Sequence, residues 1–340
     1  MPKRSRVTLE DVAAWDNLTW AAYRAARGKR THGSACGFMD RLDANLTALQ
    51  RSVRDGSVDI GNATSFRIFD PKPRTIHAPV FRERVLHHAL MRYVGPVLER
   101  SLVADTFACR VGKGAIAVVK RAQQHARRYR WYGKLDVRQY FASIHHATLL
   151  TMLRHKFKDR ELLLLLERIV ASYDTQQGRG LPIGALTSQN FANFYLNPFD
   201  RFLLEQQQAR GMVRYMDDVI WWCDEKNQAV SIAAAAETFL EERLSLQIRP
   251  PMEINRSDRG ILICGYRVFP GVIRLSRRRR RLYQLGRRKW ESRFRRGLID
   301  ETQLQAGYAA TLGITLHAES TQWRRRQLEL YPPLESCEQI

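Results

Sequence analysis

Acidic residues are scarce in this sequence: 34 Asp and Glu stand against 56 Lys and Arg, a formal net charge of +22. A folded protein so unbalanced is expected to meet a polyanion, because neutralising phosphates releases condensed counterions. RNA or DNA is the first expectation and an anionic membrane surface the second. Long apolar runs are also missing. The longest, LLLLLERIV from Leu162, meets charge after five leucines, far short of the roughly 20 residues that span a bilayer. The opening MPKRSRVTLEDVAAW has no apolar signal core. Cysteine is sparse: Cys36, Cys109, Cys223, Cys264 and Cys337 are odd in number, widely spaced and form no CxxC pair. That argues against a disulfide framework or a structural zinc site and fits a reducing cytoplasm. His87-His88 and His145-His146 have no partners at metal-ligand spacing and read as ordinary histidines. No internal repeat is found.

What is present is a foldable chain. With 44% hydrophobic residues it is not a disordered polyelectrolyte, and 340 residues allow two or three lobes. TLEDVAAWDNLTWAAYRAAR reads as a helix capped by Thr8. SFRIFDPKPRTIHAPV reads as a hairpin with a DPKP turn. FRERVLHHALMRYVGPVLER is predicted helical, ended or kinked by Pro96, and AVVKRAQQHARRYR is a further helix. WYGKLDVRQYF starts as a short strand. Helices are predicted over about 147–172, then after a loop over NFANFYLNPFDRFLLEQQQ, and again over QAVSIAAAAETFLEERL. ILICGYRVFP reads as a strand with a Gly near its middle. From Gly271 the composition shifts, and residues 272–296 hold 12 Lys or Arg and one acid, Glu291. Strands mixed with helices, without strict βαβ alternation, predict an α+β fold.

RYMDDVIWW carries the chemistry. Two apolar strands flank Asp217-Asp218, which is placed here in the two-residue turn of a hairpin. Such turns favour Asn-Gly or Asp-Gly, and adjacent carboxylates raise each other's pKa unless a cation offsets them. A solvated surface pair remains the plain alternative. Asp136, at the end of a second short strand in GKLDVRQYF, adds a third carboxylate. Three carboxylates at neighbouring strand ends suit two Mg²⁺ ions and phosphoryl transfer.

YMDD after LDVRQYFASI, with GLPIGALTSQNFANFYLN between them and CGYRVFP after, resembles the ordered motifs of reverse transcriptases. The order matches from about Lys72 to Pro270, and LQAGYAATLGITLHA resembles the thumb of one subgroup. The nearest resemblance is to reverse transcriptases of diversity-generating retroelements, within the group II intron-like prokaryotic superfamily.

The resemblance implies a right-hand polymerase fold. Residues 1–62 would be a helical extension of the fingers, 63–132 the fingers, 133–271 the palm with a fingers insertion near 145–185, and 272–340 the thumb. It implies an RNA-directed DNA polymerase making adenine-mutagenised cDNA from a template-repeat RNA with two Mg²⁺ ions. Asp136 and Asp217 would hold the metals, with Asp218 alongside and the Val137 carbonyl as an extra ligand.

For the incoming dNTP, the resemblance implies Lys72 and Arg74 on the triphosphate and Phe141 as a gate excluding a 2′-hydroxyl. Tyr140 and Phe141 face different ways, so one of them belongs to the core. Ile183, Gly184 and Gln189 fall in the motif where most relatives carry Gln-Gly and Ser-Pro. Ile183 forgoes the Gln hydrogen bond, worth roughly 0.5–1.5 kcal/mol; that loosens fidelity but does not by itself confine errors to one template base. Template and primer contacts fall on Arg110, Gly265, Tyr266, Arg267, Arg277, Arg280 and Arg287. Arg74 and Arg110 read otherwise as solvated surface charges. In the arginine-rich segment Leu282, Leu285, Trp290 and Phe294 would pack inward.

The implied partners are a structured template RNA, cDNA, and a small basic accessory protein that is itself oligomeric; no membrane partner is implied. The implied location is cytoplasmic, in a bacterial or phage-encoded system. Two alternatives stand beside it: a group II intron-type or retron reverse transcriptase of ordinary fidelity, which predicts Gln before Gly184, and a non-catalytic RNA-binding protein on the same fold.

Overall fold

The computed structural model describes residues 4–29, 33–69 and 73–334. The predicted first helix is two. Leu9–Ala13 starts at Thr8 through a capping box with Asp11, and Trp15–Ala26 follows a break at Ala14, whose ψ of 136° is extended. Leu18, Ala21, Ala22, Ala25 and Ala26 form its buried face. Small residues there let the helix lie close against Phe81–Glu99, and Asn17 joins them by donating to the Val12 and Ala89 carbonyls. Phe81–Glu99 runs through Pro96 and continues for three more residues, so proline does not end it.

Between these helices in sequence, strands β1 (Ala63–Ile68) and β2 (Arg74–Pro79) form an antiparallel hairpin in register from Ala63↔Pro79 to Ile68↔Arg74. The predicted DPKP turn lies outside the described residues, apart from Pro73.

Strands β3 (Trp131–Asp136), β4 (Gly211–Tyr215), β5 (Asp218–Cys223) and β6 (Glu253–Arg256) make one antiparallel sheet in the order β4-β5-β3-β6. Its side chains alternate between two hydrophobic cores, as the period-two geometry of strands requires. Met212, Val219, Trp221 and Leu135 face the larger core, shared with helices Leu186–Tyr195 and Lys226–Leu244. Val213, Ile220, Trp222 and Tyr132 face the smaller one, shared with helix Ala115–Arg128. This doubly covered sheet is the platform for the candidate site.

The long helix expected from Asn190 starts earlier, at Leu186, and divides into Leu186–Tyr195, Asn197–Arg201 and a wider π-helical turn, Phe202–Gln206. Helices His146–Arg154 and Arg160–Ala171 occupy the predicted 147–172 region, the second capped by Asp159. ILICGYRVFP is not one strand. It is a hairpin, β7 (Ile261–Ile263) and β8 (Tyr266–Val268), turning at Cys264-Gly265 where both residues take positive φ, the requirement of a tight two-residue turn. Strand β9 (Ile273–Leu275) completes a three-stranded sheet.

Ser276 caps helix Arg277–Arg295, which packs on Glu301–Gly313. Its buried face is Tyr283 and Arg287, with Trp290 packed against Gly307. Leu285, expected inside, is 48% exposed: it is two residues from Tyr283 and from Arg287, which in a helix turns it away from both. The mixed architecture is the α+β class expected and is consistent with a right-hand polymerase fold. Among the described residues no helix is long and apolar enough to cross a membrane.

Candidate active site

The β3–β5 register sets Asp136 directly opposite Asp218, and Tyr215 on β4 faces Asp218 from the other side. This shifts the expected turn by one residue. The two turn positions are Met216 and Asp217, and Asp218 is already the first residue of β5. Met216 takes φ +57°, an uncommon conformation for a residue with a side chain.

A buried arginine holds that turn in place. Arg214, fully buried in β4, donates from Nε and Nη2 to the equally buried Asp200 at 2.7 Å and to the Asn193 carbonyl at 2.9 Å. Its Nη1 reaches the Asn193 side-chain oxygen and the Met216 carbonyl at 3.0 and 3.1 Å. Thr106 donates to Asp200, and the Arg214 backbone bonds Asp105 and Phe107. A charge this deep is stable only when its donors are used, and here the guanidinium binds helix, strand and turn together.

The aspartates repel one another. Burial, then the Asp136 carboxylate, pushes the Asp217 pKa up to about 6. Burial also raises Asp218, and Lys134, 3.1 Å away, works against that shift. Arg249 meets Asp136 at 2.5 Å, while its backbone N–H donates to the Asp136 carbonyl. Val137 is buried and bridges Ile248; the bridging bonds use Asp136 and Arg138, leaving the Val137 carbonyl out of them. Among the described residues no three His, Cys, Asp or Glu side chains are drawn tightly enough together to cage a cation. Lys134 and Arg249 compensate the carboxylates instead. The donor set still fits Mg²⁺: hard oxygens from Asp136 and Asp217, close enough that one carboxyl keeps its proton more tightly because of the other.

Around this centre, Tyr140 is the core member of the aromatic pair, donating to the Ala192 carbonyl, and Phe141 is half-buried edge-on to it. The Phe141 carbonyl accepts from Leu181, and the Ile183 carbonyl accepts from His77 on β2 at 2.7 Å. One hydrogen-bonded path therefore links Phe141, Ile183, Gly184 and the β1–β2 hairpin. Gly184 has φ +125°, and a Cβ there would sit 2.6 Å from the His77 carbonyl oxygen. In this structure its close approach is to β2. Gln189 accepts from Cys109 at 3.4 Å. The Cys264-Gly265 turn also lies at the site: burial first, then the Asp218 charge, pushes the Cys264 thiol up to about 12.

Other expected contacts are positioned differently. Lys72 lies outside the described residues. Arg74 is exposed at the start of β2. Arg110 is turned inward, bonding Glu99 at 2.7 Å and the Val103 and Thr106 carbonyls, so it secures its own loop. Tyr266 is buried beneath Arg279 and bonds the Leu316 carbonyl; it is a core residue and presents no face to a primer. Arg267 is exposed, Arg277 is exposed at the start of its helix, and Arg280 lies over Trp323. Arg287 is buried against Glu291 and the Tyr331 carbonyl, away from any strand outside. Sequence reasoning missed Arg214, Asp200, Asn193, Lys134 and Arg249. A lone arginine inside the buried run MVRY was the one local signal.

The family model described as reverse transcriptase (RNA-dependent DNA polymerase) matches residues 70–250, a range containing all three aspartates. Protein YkfC of Escherichia coli (strain K12) is 26% identical over 155 residues, 41% of each chain. The group II intron-encoded protein LtrA of Lactococcus lactis subsp. cremoris is 22% identical over 140 residues, 39% of this chain. The chain thus spans 41% and 23% of the length of these relatives. Among solved structures, telomerase from Candida tropicalis with a TWJ fragment of telomeric RNA aligns at 11% identity and TM-score 0.48, covering 79% of this chain and 55% of that one.

Proposed function

The chain belongs to the reverse transcriptase family, and from that premise we propose that it is an RNA-directed DNA polymerase of the diversity-generating kind, producing cDNA with errors opposite template adenines. The observation that carries the polymerase reading is the register that sets Asp136 against Asp218 beside the Asp217 turn.

In the proposed reaction the 3′-hydroxyl of a primer attacks the α-phosphate of a bound dNTP, the P–O bond to the β-phosphate breaks, and pyrophosphate leaves. Two Mg²⁺ ions, when bound, supply the charge that activates the hydroxyl and stabilises the departing oxygen. Asp136, Asp217 and the Val137 carbonyl would hold them. Lys134 offsets part of the burial that raises the Asp218 pKa and holds its carboxylate at the strand edge. Arg214 fixes the Asp217 turn, which sets the carboxylate's aim. Phe141 closes the sugar side of the site and leaves a 2′-hydroxyl unbonded. In this reading Arg74, exposed at the start of β2, meets the triphosphate, and Lys72, two residues earlier in the sequence, is its second cation. Gly265 brings its hairpin turn to the primer side, with Arg267 outside it, and Arg277 and Arg280 serve the strand leaving along the arginine-rich helix.

The finer assignment rests on Ile183, Gly184 and Gln189, where a group II intron-type enzyme of ordinary fidelity would carry Gln before the glycine. It brings as partners a structured template RNA and a small basic accessory protein. The test is sequencing of cDNA made on a mixed-sequence RNA with primer, Mg²⁺ and four dNTPs, beside the Asp217→Asn/Asp218→Asn protein, with and without cognate RNA and accessory protein. Errors clustered opposite adenines support the reading. Faithful cDNA keeps the polymerase and removes the mutagenic role. No cDNA with every partner supplied removes both.

A further inference from the structure

Hairpin β7–β8 lies between the catalytic sheet and the arginine-rich helix Arg277–Arg295. Its tip is tied to that helix. The Gly265 carbonyl accepts from the backbone N–H of Ser276, the helix cap, at 3.2 Å. Arg279 lies 4.1 Å over the Tyr266 ring and donates to the Ile314 carbonyl, while the Tyr266 hydroxyl donates to the Leu316 carbonyl. A Cβ on Gly265 would meet Arg279 Nε at 2.7 Å, so no slack separates tip and helix. Behind the tip, Gln123 and Arg127 of helix Ala115–Arg128 donate to the Phe269 and Pro270 carbonyls at 3.4 and 2.7 Å.

Toward the four-stranded sheet the hairpin is held differently. Ile261, Ile263, Tyr266 and Val268 share the smaller core with Val213, Ile220 and Trp222. Apolar burial is non-directional and does not by itself fix how far the hairpin slides over the sheet. Among the described residues one hydrogen bond joins the two: Lys134 Nζ donates to the Leu262 carbonyl. The register makes that carbonyl available. Ile263 and Tyr266 flank the two-residue turn as a hydrogen-bonded pair, so Leu262, one residue back, turns its backbone groups to the free edge of β7.

The same ammonium donates to Asp218 Oδ2 at 3.3 Å and lies 3.1 Å from Oδ1. Only 17% of the Lys134 side chain is exposed. It stands on β3 two residues before Asp136, on the face that also carries Asp136 and, across the ladder, Asp218. An ammonium has three donors and no fixed plane, so it serves a carboxylate and a carbonyl that lie in different directions. Charge compensation alone would require only the first of these.

We propose that Lys134 is a positioning residue, a joint that sets the Cys264-Gly265 turn, and through Ser276 the arginine-rich helix, at a fixed distance from Asp218. Its consequence for catalysis rests on the polymerase reading, in which that turn meets the primer: the joint then registers the primer 3′ end on the carboxylates. The joint itself is tested without nucleic acid.

The first arm is hydrogen exchange read by mass spectrometry on the full, metal-free chain, comparing Asp218→Asn with Lys134→Met/Asp218→Asn. The double variant removes both charges and leaves no buried carboxylate uncompensated. Amides of residues 261–268 are expected to exchange on the order of tenfold faster in the double variant, the worth of one charged hydrogen bond. Residues 218–223 should exchange alike in both. Equal protection of the hairpin in the two variants would reduce Lys134 to a counter-charge and overturn the joint. Faster exchange in both segments would make the effect general instability and overturn it too. The second arm is single-turnover nucleotide addition per bound primer–template. Lys134→Met is expected to slow it at least tenfold, since misplacement by about 1 Å can cost a hundredfold, with KM for dNTP within twofold. Lys134→Arg, which keeps donors for both acceptors, should recover most of the rate. A wild-type rate in Lys134→Met would overturn the positioning role. Wild type adding no nucleotide would remove the polymerase reading, and the exchange arm would still decide the joint.

Discussion

Arg214 and Asp200 meet at 2.7 Å with both side chains fully buried, and the same guanidinium carries on to the Met216 carbonyl. The pair therefore supports the fold and also aims Asp217. Removing one partner of a buried pair leaves an uncompensated charge, a cost of about 3–5 kcal/mol. Arg214→Met is expected to lower stability by that amount in urea unfolding. Asp200→Asn, which keeps one acceptor, is expected to fold with a smaller loss and to depress kcat for nucleotide addition more than it raises KM. An Arg214→Met protein as stable as wild type would remove the pair from this role.

The raised pKa of Asp217 makes a prediction with a definite sign. Its ordinary value is 3.8 and its value here is about 6, so between those pH values the folded protein binds more protons than the unfolded chain. Stability then falls as pH rises. Metal-free protein is expected to lose up to about 3 kcal/mol from this group between pH 4 and pH 6. Asp217→Asn should flatten that slope and raise the Tm at pH 7, while Mg²⁺ should stabilise wild type and not the variant. A variant with an unchanged Tm and slope would show that the carboxylate is not strained.

The aspartates were legible because they fall at or beside the ends of short apolar strands, and strand ends on one sheet converge. The turn was misplaced by one residue because local preference assigns positive φ to Gly, Asn or Asp. Met216 adopts it here under a bond from Arg214, a contact that a local rule does not see. Arg249 reaches Asp136 from 113 positions away, with no local sign of the meeting. Arginines were legible as charge and not as direction. Arg110 and Arg287 face inward where Glu99 and Glu291, with the Val103, Thr106 and Tyr331 carbonyls, take up their donors. The helical lobes followed from apolar spacing, whereas breaks at Ala14 and at Phe202 depend on what packs above them.

Gly184 is where the loop after helix Arg160–Ala171 touches β2. Its φ of +125° disfavours any side chain, and a Cβ would press on the His77 carbonyl. Gly184→Ala is expected to cost more than about 1 kcal/mol by parting Ile183 from His77. Because the hairpin also carries Arg74, KM for dNTP should rise beyond what the stability loss explains. Thermal unfolding beside steady-state kinetics separates the two; a normal KM would detach the hairpin from nucleotide binding.

Ile183, one residue earlier, tests the mutagenic reading directly. Its backbone is already engaged with His77, so replacing the side chain leaves the loop's anchor in place. Glutamine restores an amide able to hydrogen-bond near the nascent pair, a gain of roughly 0.5–1.5 kcal/mol, or up to about tenfold in selectivity. Ile183→Gln is therefore expected to lower misincorporation opposite adenine by up to about tenfold, with kcat on correct nucleotides within twofold. The restored hydrogen bond alone would lower errors opposite all four bases, so hardly any movement opposite the other three is the outcome that seats the adenine bias at Ile183. Deep sequencing of cDNA from one RNA template measures both. An equal fall opposite all four bases would make Ile183 a general fidelity residue, and no change would return it to packing.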